Sequence, residues 1–136
     1  MFKQAILEKI GSYDIEKLRI QYDSHPYYGK IDIPNFLPEQ VSEQCAIELE
    51  NLPLELGKKF TRKGSAMWEY NNLTNTPIQE QLVNVLHSSQ FISWVEKVSG
   101  VNRLIPDPHL IGAGYMKSFA GDTLKIHTDF NIGEAH

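Results

Sequence analysis

The sequence contains a single cysteine, Cys45, so no disulfide can form within the chain. It has no surplus of positive charge. Its 13 Lys and Arg stand against 17 Asp and Glu, a formal net charge of −4, which argues against broad nucleic-acid binding as the main task. No apolar run approaches the roughly 18–20 residues needed to span a bilayer. Internal repeats, low-complexity tracts and a Gly-x-Ser-x-Gly nucleophile pattern are missing too. The first residues, Met1 to Ile10, are amphipathic and lack the continuous apolar stretch of a signal peptide, so the expected compartment is the cytoplasm. What is present is ordinary for a globular protein. There are 136 residues, 41% hydrophobic and 22% charged, enough for one domain with a real core.

Residues 1–28 read as a helical or partly helical lead-in. Phe2, Ile6, Leu7 and Ile10 fit helical spacing and Gly11 ends the pattern, while Tyr22 to Tyr28, with Pro26, read as a loop. Ile31-Asp32-Ile33 reads as a short strand. Pro38 suits a first helical position, and Val41, Cys45, Leu49 and Leu52 then form one stripe, opposite Glu39, Glu43 and Glu50; Pro53 closes the helix. Cys45 on that stripe reads as a buried thiol, not a nucleophile.

Residues 57–64, with Lys58, Lys59, Arg62 and Lys63, read as a solvated loop. A strand from Ser65 to Asn71 follows, carrying Met67, Trp68 and Tyr70. Stacking of Trp68 and Tyr70 on bases or on a basic partner is the minor alternative; Trp68 and Trp94 read first as core. Thr76-Pro77-Ile78-Gln79 matches a capping box with proline at the first helical position, and Ile78, Leu82 and Leu86 continue an apolar stripe. A second helix over Ser89 to Val98 buries Phe91, Trp94 or Val95, and Val98, and Gly100 stops it. His87 falls at a helix C-terminus, where an imidazole serves as a cap. His25 and His109 have no assigned role. After Gly100 the period changes, and Leu104-Ile105-Pro106-Asp107-Pro108 reads as an extended, proline-punctuated connection. Leu110 to Phe119 and Thr123 to Phe130 read as two strands around Ala120-Gly121-Asp122, a hairpin signal. Helices first and strands last predict an α+β protein with helices packed on a sheet.

Along Thr123 to Phe130, Lys125, His127 and Asp129 share one face of the expected strand. An imidazole and a carboxylate then project together about 7 Å apart. One neutral nitrogen and one hard oxygen suit Fe(II), Mn(II) or Zn(II) better than Ca(II). A His-x-Asp triplet by itself is also met as a hydrogen-bonded surface pair. The preceding Gly112-Ala113-Gly114-Tyr115 fits either close approach of a ligand or a bulge.

The runs Asp107 to Tyr115 and Gly121 to Asn131, with the upstream Ile33-Pro34-Asn35-Phe36-Leu37-Pro38 and Phe91 to Pro108, resemble the Fe(II)/2-oxoglutarate-dependent dioxygenases of the prolyl-4-hydroxylase-like branch over roughly residues 28–131. The resemblance implies a double-stranded β-helix, or jelly roll, supported by N-terminal helices. The division would be a lead-in at 1–28, a helical support region at 29–109 and a first core hairpin at 110–136. His127 and Asp129 would be two members of a two-His-one-carboxylate metal triad. Tyr115 would line the 2-oxoglutarate pocket and Asn131 would support the site. The implied cofactors are Fe(II) and 2-oxoglutarate, with ascorbate as reductant. The implied reaction couples decarboxylation of 2-oxoglutarate, with O₂, to hydroxylation of a C–H bond, of a prolyl residue or of another peptide or small-molecule substrate.

The family pattern also calls for a second histidine well beyond the aspartate and for a basic residue after it. His136 follows Asp129 too soon and has no strand to carry it. The chain is therefore expected to be the N-terminal part of a longer oxygenase, with an incomplete jelly-roll sheet, inactive by itself. Its unpaired strand edges lead to an expected dimer or higher assembly through the C-terminal hairpin. Two alternatives accompany this reading. Gly121, His127, Asp129 and Glu134 are similar to the first cupin motif, with Asp129 in place of that motif's second histidine. The other is a non-catalytic structural or partner-binding module.

Overall fold

The computed structural model describes residues 2–62, 65–110 and 114–123, with backbone only at 60–62 and 65–66. The described chain is mixed helix and sheet. Its helices are α1 (Phe2–Ser12), α2 (Ile15–Asp23), α3 (Glu39–Asn51), α4 (Pro77–Leu86) and α5 (Ser89–Ser99), with a 3₁₀ turn at Leu54–Leu56. Its strands are β1 (Lys58–Arg62), β2 (Ser65–Tyr70) and β3 (Tyr115–Lys117). They form one antiparallel sheet in the order β1-β2-β3.

The helices α1, α3, α4 and α5 form where the apolar spacing places them, while α2 takes in Tyr22 and Asp23, which were expected to be loop. The α1 helix buries Ile6 and Ile10 and packs on α4 and α5. Gly11 does not end it. The helix runs on to Ser12, whose Oγ donates to the Lys9 carbonyl at 2.7 Å and closes the last turn. Asp14 then caps α2, its Oδ1 accepting from the Lys17 N–H at 3.1 Å. The main cluster joins Ile6 to Leu82 and Val85 of α4, with Phe2, Leu7, Phe36, Leu37, Cys45 and Leu86 packed around it. An aromatic layer extends it: Trp94 stacks on Phe36 with ring centroids 6.3 Å apart, and Phe91 lies 5.6 Å from Trp94. At the end of α5, Gly100 takes φ +70° and its N–H bonds to the Glu96 carbonyl, the left-handed stop expected of it.

Three expectations for extended chain change. Ile31-Asp32-Ile33 is not a strand; no described strand lies beside it, Pro34 follows, and Lys30 and Asp32 form an exposed ion pair at 2.9 Å. Residues 58–62, expected to be loop, form β1. Pairing with β2 outweighs their polar character, with Lys58 opposite Glu69 and the Lys59 Nζ 5.8 Å from the Trp68 ring centroid. Leu110 does not begin a strand. It sits at φ +51° after a turn closed by its N–H to the Asp107 carbonyl, and its own carbonyl accepts from Asn71 Nδ2 at 3.1 Å. Described β3 pairing is confined to Tyr115, Met116 and Lys117. The expected strand over Thr123 to Phe130 lies, apart from Thr123, outside the described residues.

Candidate functional site

Among the four residues assigned by resemblance, Tyr115 lies within the described structure. It stands on β3 opposite Tyr70, on the sheet face shared with Trp68 and Lys117. That face meets α3: Lys117 Nζ donates to the carbonyls of Glu50 at 3.2 Å and Leu52 at 2.9 Å, where α3 ends and its C-terminal carbonyls lack helical partners. Tyr115 is half-buried. Burial, followed by the proximity of Cys45 and Glu48, pushes its phenol above the usual tyrosine range. The Cys45 thiol is likewise raised, by burial and then by Glu48; the cysteine, expected to be buried, is half-buried.

Glu48 matters most in this neighbourhood and was not singled out by the sequence. Its Oε1 accepts from the Ile78 N–H at 2.9 Å and its Oε2 from the Gln79 N–H at 3.0 Å. One carboxylate of α3 thus covers the N-terminus of α4, where two orphan donors and the positive end of the helix dipole coincide. The capping box expected at Thr76–Gln79 does not form. The Thr76 hydroxyl bonds to the Leu73 carbonyl at 3.1 Å and makes no cap bond. Gln79 is fully buried and turns away, its Nε2 donating to the Cys45 carbonyl at 2.7 Å. A glutamate one helical turn after Cys45 was the available signal, but nothing local says that it faces α4.

The turn expected ahead of the His-x-Asp triplet is present. The Asp122 N–H bonds to the Phe119 carbonyl at 2.9 Å, and Asp122 Oδ2 accepts from the Phe119 N–H at 2.7 Å. Gly121 sits at φ +95°, a conformation that glycine adopts without strain. His127, Asp129 and Asn131 lie outside the described residues, as do Glu134 and His136. Among the described residues no group of three His, Cys, Asp or Glu side chains is placed to hold a metal.

The other histidines are accounted for separately. His25 packs against Tyr28 with ring centroids 4.1 Å apart and the rings tilted by 37°. His87 is the C-cap residue of α4, but through its backbone N–H, which bonds to the Val83 carbonyl at 2.8 Å, and not through its imidazole. With His109 it borders an open cleft of about 510 Å³ between α4, residues 71–74 and residues 106–110. Asn71, Asn72, Thr74, Glu80 and Asn84 also line that cleft and give it hydrogen-bonding groups.

No protein-family model, curated protein or solved structure matches the chain. No helix among the described residues is long and apolar enough to cross a membrane.

Proposed function

We propose that this chain carries the N-terminal half of an Fe(II)- and 2-oxoglutarate-dependent oxygenase domain, with His127 and Asp129 as two of the metal's protein ligands. The observation that best supports the reading is the tight turn from Phe119 to Asp122, which follows antiparallel β3 and precedes the His-x-Asp triplet by a few residues. The end of α3 meets the antiparallel sheet at Lys117, whose Nζ donates to the Glu50 and Leu52 carbonyls, which suits the same reading.

The donor chemistry fits the cation. A neutral imidazole and a carboxylate are the mixed nitrogen and oxygen set that Fe(II) accepts, and a further imidazole would complete a facial triad. When bound, the iron and 2-oxoglutarate would supply the oxidative chemistry. The chain's own residues would act around them. His127 and Asp129 would hold the cation, Tyr115 would stand on the strand that lines the 2-oxoglutarate pocket, and Asn131 would steady the ligands. The jelly roll, the prolyl or other substrate, ascorbate as reductant and association through strand edges belong to the same proposal.

Mn(II) is a suitable probe because it needs no protection from air. Electron paramagnetic resonance should show weak Mn(II) binding by the chain, since two protein donors form an incomplete chelate. His127→Ala and Asp129→Ala should each abolish it. Unchanged binding in both variants would overturn the proposal. The cupin-like reading shares these ligands, but predicts that 2-oxoglutarate leaves the Mn(II) signal unaltered.

A further inference from the structure

β1 is the outermost described strand. β2 occupies one of its sides, and no described strand lies on the other. Its outward N–H and C=O groups can therefore accept another extended chain. The segment Lys58-Lys59-Phe60-Thr61-Arg62-Lys63 places four of the chain's 13 cations on and beside this strand, in a molecule whose formal charge is −4. Lys58 and Lys59 are exposed and make no ion pair with a described carboxylate. They point to opposite faces of the sheet, Lys58 on the side of Glu69 and Lys59 beside Trp68.

We propose that the outer edge of β1 is a docking strand for an extended acidic peptide segment of another protein, which adds to the sheet as a further strand. The backbone edge supplies the ladder and the cations supply the selection. Cations on both faces favour a run of consecutive acidic residues over an alternating pattern. Two copies of β1 meeting edge to edge would set Lys and Arg against Lys and Arg, so the charges that attract an acidic strand repel a second copy. A nucleic acid would use the charge but not the unpaired backbone groups.

The test is fluorescence anisotropy on the full chain with a short labelled peptide rich in Glu and Val. Binding is expected, weakening as salt rises. Methylating alternate backbone nitrogens of the peptide leaves its charge intact but blocks the ladder, and should weaken binding about tenfold or more, equivalent to one or two lost hydrogen bonds. The Lys58→Glu, Lys59→Glu double variant should weaken it by at least as much, with an unchanged circular dichroism spectrum. The methylated peptide probes the ladder on the parent chain, so that measurement does not depend on any variant folding. Failure of the Glu and Val peptide to bind, equal binding of its methylated form, or tighter binding of an oligonucleotide of equal charge would each overturn the proposal. So would an oligomer that is lost in the double variant.

Discussion

Replacing Glu48 with alanine tests the idea that one side chain joins α3 to α4. The carboxylate accepts two backbone N–H groups at 2.9 and 3.0 Å, in a half-buried position at the start of α4. A side-chain cap is worth about 1 kcal/mol, and a hydrogen bond to a charged group about 1.5–3 kcal/mol. Water can partly replace the lost acceptor at a half-buried site, and alanine adds a few tenths of a kcal/mol of helix propensity to α3. The expected loss is therefore about 2 kcal/mol, or a fall in Tm of about 8 °C for a chain of this length. Glu48→Gln keeps one acceptor oxygen in place and should lose about half as much. Glu43→Ala on the same helix is the control, because Glu43 is exposed and should change stability by less than about 0.5 kcal/mol. Urea denaturation followed by circular dichroism measures all three. If Glu48→Ala unfolds at the same denaturant concentration as Glu43→Ala, the carboxylate does not cap α4 and the account of this neighbourhood fails.

Tyr70 is 2% exposed and its hydroxyl has no hydrogen-bond partner among the described residues. Tyr70→Phe removes an uncompensated polar atom and should be neutral or stabilising by up to about 1 kcal/mol in urea melts; a loss above about 1 kcal/mol would reveal a bonded hydroxyl. Gly100→Ala forces a side chain into φ +70° and against the Arg19 guanidinium, so it should cost about 1–2 kcal/mol, whereas Gly11→Ala, with open space around it, should cost nothing or stabilise α1. Burial raises the phenols of both Tyr70 and Tyr115 above their ordinary value of 10.0. Each therefore favours the folded state fully below pH 10 and loses that contribution as pH rises through its raised folded value. Alkaline denaturation should be shallower in Tyr115→Phe than in the parent chain, and ultraviolet absorbance should show one fewer late-ionising phenol.

The helices could be read before any fold was known because the evidence for them is local. The stripe Val41, Cys45, Leu49, Leu52 recurs at the helical period, and α3 forms there with Val41 and Leu52 buried. Pro77 opens α4 and Gly100 ends α5 for reasons contained in their own backbones. The same holds for the turn at Gly121 and for Tyr115 lying on a strand.

Partners distant in sequence decided the rest. Lys58 to Arg62 has the composition of a solvated loop and becomes a strand because β2 lies beside it. Ile31 to Ile33 has strand-like residues but no described neighbour to pair with. Thr76 and Gln79 carry the letters of a capping box, yet Glu48 already satisfies the helix end and leaves Gln79 to bond elsewhere. The neighbourhood of Tyr115, made by Cys45 and Glu48, could not be inferred from residues so far apart along the chain. Periodicity and backbone preference act over a few residues and are written in the order of the amino acids. Strand pairing and the filling of a helix end depend on which groups meet in space, and that is settled when the layers pack.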